Sequence, residues 1–239
     1  MTKLLSFDLE ISNEFEDESG HVRSHREMGI SCAAVLAEDS STPIYWHNPD
    51  RLSESAVACM VEDLEHYVNN GYLLVTWNGL AFDFRTVAEN APVEYFSRVV
   101  ALARNHWDIM LQFVITKGYR LGLDACAKGC GVQSKKDLDG GHGENVPRLW
   151  REGRYEEVLY YLGGDVETTM AVAKFVRDNR GFDWISKSGR NNSVTLGRPL
   201  IVSECMSRRV PPQSWITDPP KIEDMAGWMT PVQKSLFEE

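Results

Sequence analysis

Two carboxylates near the start of the chain lie in a segment whose pattern predicts a β-strand. Residues 4–10 are rich in apolar side chains, and a polar run begins at Ser12. Because side chains two positions apart in a strand share a face, Asp8 and Glu10 would lie side by side, with Leu9 pointing into a core. Like charges this close are costly unless a cation lies between them, and oxygen ligands favour Mg²⁺ or Mn²⁺. The pair is therefore a candidate metal site, although alone it also fits an exposed edge strand.

A third carboxylate, Asp83, follows a second apolar segment. Residues 72–77 predict a central strand covered on both faces, and it runs into the sequence Asn-Gly-Leu-Ala-Phe-Asp at 78–83. Gly79 permits a tight turn, and Asp83 would begin the next helix, where the helix dipole favours an anion. Ligands of α/β sheets collect where strands end, so we predict that Asp83 joins the same site. The alternative is a helix-capping aspartate after an ordinary turn.

The fourth candidate carboxylate lies on a long helix predicted at about residues 154–177. Tyr161 and Asp165 are four residues apart and therefore share a face of this helix. Gly163 and Gly164 lie between them, and each glycine inside a helix costs about 1 kcal/mol relative to alanine. That cost predicts the close approach of another backbone, for which the first strand is the natural candidate. A surface aspartate on a weak helix is the alternative.

Composition and charge restrict the classes of function. The chain has 239 residues, 43% of them apolar and 25% charged, as in ordinary globular proteins. The formal net charge is −10 and is uneven: residues 1–100 hold 6 Lys and Arg against 17 Asp and Glu, and the remainder holds 19 against 18. This balance argues against a tight duplex binder but allows an enzyme that holds a few nucleotides through metals and a local basic rim.

The sequence contains no sign of membrane association. No window reaches 18 uncharged apolar residues, and residues 1–3 lack the pattern of a leader, so we expect neither a membrane span nor a leader. The five cysteines, an odd number, predict free thiols in a reducing compartment and hence a cytoplasmic protein. Cys126 and Cys130 lie one helical turn apart, a spacing more often found for buried small residues than for a metal site.

The elements around these candidates predict one α/β domain over residues 1–180. An antiparallel meander opens it, and a helix then leads to the central strand. The further strands are expected at 28–36 and 43–46, and the helices at roughly 53–70, 83–90, 93–104, 106–117 and 120–127. Polar loops are expected at about 12–26 and 133–145.

The composition changes at Gly181. Residues 181–239 carry six of the ten prolines and three of the seven tryptophans of the chain. Residues 194–202 have the pattern of a hairpin. We interpret this segment as a C-terminal extension that packs on the core or binds a protein partner.

Taken together, the motifs resemble the DEDD superfamily of 3′–5′ exonucleases, which have an RNase H-like fold. Phe-Asp-Leu-Glu at 7–10 looks like the first motif of that family, residues 78–83 the second, and Tyr-Leu-Gly-Gly-Asp at 161–165 the third. The second motif is especially similar to the proofreading domains of family B DNA polymerases and their stand-alone relatives. The third resembles the tyrosine type, because Tyr161 lies four residues before Asp165 and no histidine lies five before it.

The resemblance covers the chain up to the extension and implies an RNase H-like mixed sheet and two-metal phosphodiester hydrolysis with Mg²⁺ or Mn²⁺. Asp8 would bridge both ions, with Glu10 and Asp165 completing the first site. Asp83 would hold the second ion, and Tyr161 would orient the attacking water. These roles are what the resemblance implies for the residues that match its motifs.

The substrate implied by the resemblance is a single strand of DNA or RNA with a free 3′ end, DNA being favoured, cut to nucleoside 5′-monophosphates. The candidate substrate contacts are residues next to the motifs and nearby cations: Leu9, Asn78, Phe82, Lys117, Arg120 and Lys135. An RNase H-like endonuclease and a catalytically inert nucleic-acid-binding relative are the alternatives.

Overall fold

The centre of the protein is a five-stranded sheet in the order β3-β2-β1-β4-β5. The computed structural model describes residues 2–13, 28–132, 143–186 and 188–230. The strands of the sheet are β1 (Lys3–Glu10), β2 (Cys32–Ala37), β3 (Ile44–His47), β4 (Tyr72–Thr76) and β5 (Trp107–Asp108). The β1–β2 and β2–β3 pairs are antiparallel, and the β1–β4 and β4–β5 pairs are parallel. This mixed sheet, flanked by helices, confirms the predicted fold class.

Helices cover both faces of the sheet. Within the described ranges they are α1 (Glu54–Asn69), α2 (Asp83–Asn90), α3 (Phe96–Asn105), α4 (Ile109–Lys117), α5 (Leu123–Cys130), α6 (Val146–Arg151), α7 (Tyr155–Asn179), α8 (Val202–Met206) and α9 (Ile222–Ala226). A separate hairpin consists of β6 (Gly181–Ile185) and β7 (Asn191–Thr195). None of the described helices is long and apolar enough to cross a membrane. The predicted loops at 12–26 and 133–145 fall largely outside the described residues.

The alternation of β1 divides the core into two layers. Phe7 and Leu9 pack with buried residues of α1, α2 and α3 on one side of the sheet. Leu4 packs with α5 and α7 on the other side. On that second side the Ser6 hydroxyl donates a hydrogen bond of 2.8 Å to the Val166 carbonyl of α7. Because side chains alternate between the two faces of a strand, Asp8 and Glu10 face the middle of α7, as Ser6 does.

Two predicted elements were wrong in position. The segment predicted as one helix at 106–117 begins with the short strand β5, because Trp107 is buried in the sheet layer and Asp108 caps α4 by accepting from the Leu111 N–H. The hairpin predicted at 194–202 lies instead at β6 and β7. Proline at 199 has no N–H for a strand ladder, whereas Phe182 and Trp184 alternate inward along β6.

At Gly163, in the middle of α7, the close neighbour differs from the one predicted, whereas for Gly164 the approach of the β1 backbone stays a prediction. A Cβ added to Gly163 would lie 2.3 Å from the Tyr45 hydroxyl of β3. The close neighbour is thus a side chain of the edge strand and not the backbone of β1. A side chain at this position would require the Tyr45 hydroxyl to move.

The C-terminal extension packs on both layers of the core. Val202 and Met229 are buried with α1, α2 and α3, and Trp184 is buried with α5 and α7. The Trp228 indole N–H donates to the Leu80 carbonyl at 2.8 Å. These contacts attach the extension to the sheet domain, while a division of the chain near residue 180 remains a prediction.

Candidate active site

Three carboxylates meet at the C-terminal end of β1. One ligand oxygen from each of Asp8, Glu10 and Asp165 lies within 4.8 Å of the others. Asp8 and Glu10 come from alternate positions of β1, and Asp165 comes from the part of α7 that covers this face. Glu10 and Asp165 are buried and Asp8 is half-buried. Carboxylates this close repel one another in a poorly solvated site, and their spacing suits a shared divalent cation.

Asp83 joins this cluster through Asp8. It is 1% exposed, lies in the first turn of α2, and accepts a hydrogen bond of 3.2 Å from the Leu9 N–H. Burial, then the charge of Asp8 and a hydrogen bond shared with its carboxyl, raise the pKa of Asp83 well above its ordinary value. Asp83 therefore holds a proton to higher pH than an ordinary aspartate does.

The turn before Asp83 is held by Asp108, a residue that sequence reasoning missed. Its carboxylate accepts from the Asn78 N–H at 3.1 Å and the Leu80 N–H at 3.0 Å, besides capping α4. Burial raises the pKa of Asp108, and these backbone donors lower it. An aspartate within the helix predicted at 106–117 was a possible signal that the helix begins later, with Asp108 as its cap. The link to a turn 30 residues earlier was not visible in the sequence.

The sequence of the turn fits its geometry. Asn78 has a φ of +74°, a left-handed conformation that asparagine tolerates better than most residues. A Cβ on Gly79 would lie 2.3 Å from the Thr76 hydroxyl, which accepts a hydrogen bond from the Gly79 N–H. This tight turn directs the start of α2, and with it Asp83, toward β1.

Tyr161 faces the cluster and Tyr160 faces solvent. Tyr161 is buried, whereas Tyr160 is 61% exposed. A methyl group on Gly143 would lie 3.6 Å from the Tyr161 hydroxyl and 4.0 Å from Oε2 of Glu10. The hydroxyl and the carboxylate therefore border the same space. The helical phase places Tyr161 on the side of α7 that carries Asp165.

The predicted contacts near the motifs have different surroundings. Leu9 is 2% exposed in the core, so its side chain is not available to a nucleotide; its backbone N–H positions Asp83 instead. Phe82 is half-buried immediately before α2 and packs at the edge of the core. The Asn78 side-chain oxygen is buried and has no hydrogen-bond partner among the described residues.

Of the three predicted cations, Lys117 and Arg120 lie among the described residues. Lys117, at the end of α4, donates to the Ser193 carbonyl at 3.3 Å and lies 5.6 Å from the centre of the Trp184 ring. It is thus directed toward the β6–β7 hairpin. Arg120 is half-buried in the connection to α5. Lys135 lies outside the described residues.

Comparisons with known proteins agree on the fold. A model of the RNase H superfamily matches residues 18–177, a range that contains Asp83, Tyr161 and Asp165 but begins after β1. The solved family B DNA polymerase of the hyperthermophilic archaeon Pyrobaculum calidifontis is similar over 74% of this chain, with a TM-score of 0.55 and 17% identity. The family match confirms the RNase H-like fold that the motif resemblance predicted.

The chain spans only part of its structural neighbours, and covers 24% of the polymerase. An exonuclease I structure aligns with 74% of the chain at 15% identity and a TM-score of 0.32, and the chain covers 42% of it. Exonuclease I from Methylocaldum szegediense aligns with 75% at 17% identity and a TM-score of 0.33, with 41% of its length covered. The comparison with curated proteins gives no significant match.

Proposed function

The chain belongs to the RNase H superfamily, and we propose that it is a metal-dependent 3′–5′ exonuclease acting on single-stranded nucleic acid. One observation carries the proposal. Asp8, Glu10 and Asp165 come within 4.8 Å of one another, and Asp83 shares a hydrogen bond with Asp8. Carboxylates brought this close in a poorly solvated site repel one another, and a shared divalent cation relieves that repulsion, so the cluster supports a cation-binding function. We favour DNA because the second motif resembles those of DNA polymerase proofreading domains.

The donor set fits two hard divalent cations. Every ligand of the cluster is a carboxylate oxygen, the donor type that Mg²⁺ and Mn²⁺ prefer. Asp8 lies close both to Glu10 and Asp165 and to Asp83. It would therefore be shared by two ions, one held with Glu10 and Asp165 and the other held with Asp83. When bound, such a pair lowers the pKa of water and neutralises charge on the leaving 3′ oxygen.

The side chains around the cluster would then divide the remaining tasks. The Tyr161 hydroxyl, which borders the same space as the Glu10 carboxylate, would hold and orient the attacking water. Asp83 would release its shared proton when a cation binds. Phe82 would pack against the terminal base, and Asn78 would keep the turn in place.

Digestion of 5′-labelled single strands tests the proposal. DNA and RNA with free 3′ ends, each with Mg²⁺, Mn²⁺ or EDTA, should shorten as a ladder only with a metal, and should release nucleoside 5′-monophosphates. Asp8→Asn is the matched inactive control. Internal cuts in a strand with a 3′-phosphate would indicate the endonuclease alternative. No turnover on any strand would indicate the inert binding relative.

The cellular setting follows from the thiols. All five cysteines are free, and four of them are buried. Unpaired thiols are typical of a reducing compartment, so the proposal places the enzyme in the cytoplasm. Binding of a protein partner by the C-terminal extension remains a prediction.

A further inference from the structure

Trp215, in the C-terminal extension, is exposed but held in place. The residue is 66% exposed, and its indole N–H donates to Oε1 of Gln213 at 3.0 Å. The amide nitrogen of Gln213 in turn donates to the Lys117 carbonyl at 2.7 Å. One glutamine side chain thus ties the exposed ring to the C-terminal end of α4.

The indole is also connected to the core through a series of rings. Its centre lies 5.2 Å from that of Tyr119, at an interplanar angle of 65°. Tyr119 lies 5.3 Å from Phe113, which is fully buried. These contacts restrict the rotation of the indole before any ligand arrives. A ligand that stacks on it therefore loses little free energy to the ordering of this side chain.

The backbone brings the extension close to the same helix end. A Cβ on Gly118 would lie 2.1 Å from the Pro211 carbonyl oxygen, at a φ of +82°. Only glycine permits this approach, which places the segment carrying Trp215 against the end of α4.

Lys117, whose backbone carbonyl accepts the hydrogen bond from Gln213, carries a positive charge at the same end of α4. The Lys117 ammonium contacts the Ser193 carbonyl and the Trp184 ring, and within the described ranges no carboxylate forms an ion pair with it. Its charge is therefore available to a phosphate. Polar and basic groups beside a fixed aromatic ring are the features with which proteins hold single strands without sequence preference.

We propose that Trp215, supported by Tyr119, is a stacking site for one base of single-stranded nucleic acid, with a neighbouring phosphate at Lys117. The proposal rests on the proposed exonuclease function, because the strand that it holds is the trailing part of the substrate. α4 has nine residues and spans about 14 Å between the Asp108 anchor and Lys117. α4 thus separates the stacking site from the turn that Asp108 holds before Asp83.

Binding without catalysis tests the site directly. Fluorescence anisotropy of a labelled thymidine dodecamer in EDTA, with the full chain, should give a Kd that Trp215→Ala raises about tenfold, the loss expected for one stacking contact. Trp215→Phe should retain most of the affinity. Ile185→Ala, at a position 65% exposed on β6, is the matched control and should change nothing. Equal Kd values for Trp215→Ala and wild type would overturn the proposal, and so would a wild type that does not bind, which would point to a protein partner.

The salt dependence separates stacking from charge. Lys117→Gln should flatten the plot of log Kd against log salt by about 0.7, the value for one phosphate of a single strand. Trp215→Ala should shift the plot without changing its slope. An unchanged slope in Lys117→Gln would remove the phosphate contact from the proposal.

Substrate length distinguishes this site from the exonuclease site. In Mn²⁺, Trp215→Ala should raise KM for the dodecamer about tenfold, and should leave KM for a trinucleotide and kcat for both unchanged. Equal KM values for the dodecamer would overturn the stacking site while the exonuclease function stands. If the wild type digests neither substrate, the exonuclease proposal fails, and the anisotropy measurements alone then decide whether Trp215 binds the strand.

Discussion

Asp83 and Asp108 are equally buried aspartates with different surroundings. Each is 1% exposed, and burial is the largest cause that raises the pKa of each. Asp108 faces three backbone N–H groups, which favour its charged form. Asp83 faces Asp8, whose charge raises the pKa of Asp83 further. Neighbours therefore separate the two roles: we expect Asp108 to stabilise the fold and Asp83 to bind a cation.

The largest effect is expected for substitution of Asp8, the carboxylate that both proposed cations would share. Asp8→Asn should abolish digestion of 5′-labelled single strands, and Asp165→Asn should do the same, because each removes a cation ligand. In thermal melts, Mn²⁺ should raise the Tm of the wild type by mass action but hardly change that of Asp8→Asn. Equal Mn²⁺-induced shifts in these proteins would contradict a shared cation site.

Tyr161 tests whether a residue beside the cluster acts in chemistry without binding a cation. Tyr161→Phe should lower kcat by roughly 10–10³-fold, the range for losing a group that orients water. The Mn²⁺-induced rise in Tm should remain, since no carboxylate is lost. Tyr160→Phe, in the exposed neighbour, is the control. A greater loss of kcat in Tyr160→Phe would show that the wrong tyrosine has been assigned.

Asp108 tests the other side of the comparison. Asp108→Asn should lower the free energy of unfolding by about 1–3 kcal/mol in urea denaturation, because an NH₂ group cannot accept from a buried N–H. Activity should fall moderately as the turn before Asp83 shifts, while the Mn²⁺-induced rise in Tm persists. Ser53→Ala, which removes the cap of α1, should cost about 1 kcal/mol and leave activity intact. Complete loss of the Mn²⁺ response in Asp108→Asn would place Asp108 among the cation ligands.

The smallest effect is expected for Asp83→Asn in EDTA, and its sign is unusual. Most substitutions of buried residues destabilise, but this one removes repulsion from Asp8, so the Tm should equal or exceed that of the wild type. Mn²⁺ should stabilise the variant clearly less than the wild type. A markedly lower Tm in EDTA would show that Asp83, like Asp108, is a structural carboxylate.

The raised pKa of Asp83 also predicts how the stability of the fold depends on pH. Because folding raises the pKa of Asp83 above its ordinary value of 3.8, the native state binds the proton more tightly than the unfolded state. This stabilisation is complete below the pKa of Asp83 in the unfolded state. It is lost as pH rises through the pKa of Asp83 in the folded state. In urea denaturation with EDTA, the fall over that interval should be shallower in Asp83→Asn. An identical pH profile would mean that Asp83 does not hold the proton.

Much of the candidate site could be predicted from local periodicity. The strand period of two placed Asp8 and Glu10 on one face, and the helical period placed Tyr161 with Asp165. The turn composition at 78–83 located the start of α2 correctly. These relations involve residues close in sequence, so the backbone geometry of one element is sufficient to fix them.

The tertiary structure decided which of these faces meet. The hydrogen bond between Asp83 and Asp8, the anchoring of the 78–80 turn by Asp108, and the contact of Tyr45 with Gly163 join residues from separate elements. No short window of sequence contains both partners of such contacts. They depend on the order of strands in the sheet and on how helices pack across it, because side-chain direction is local whereas proximity is a property of the whole fold.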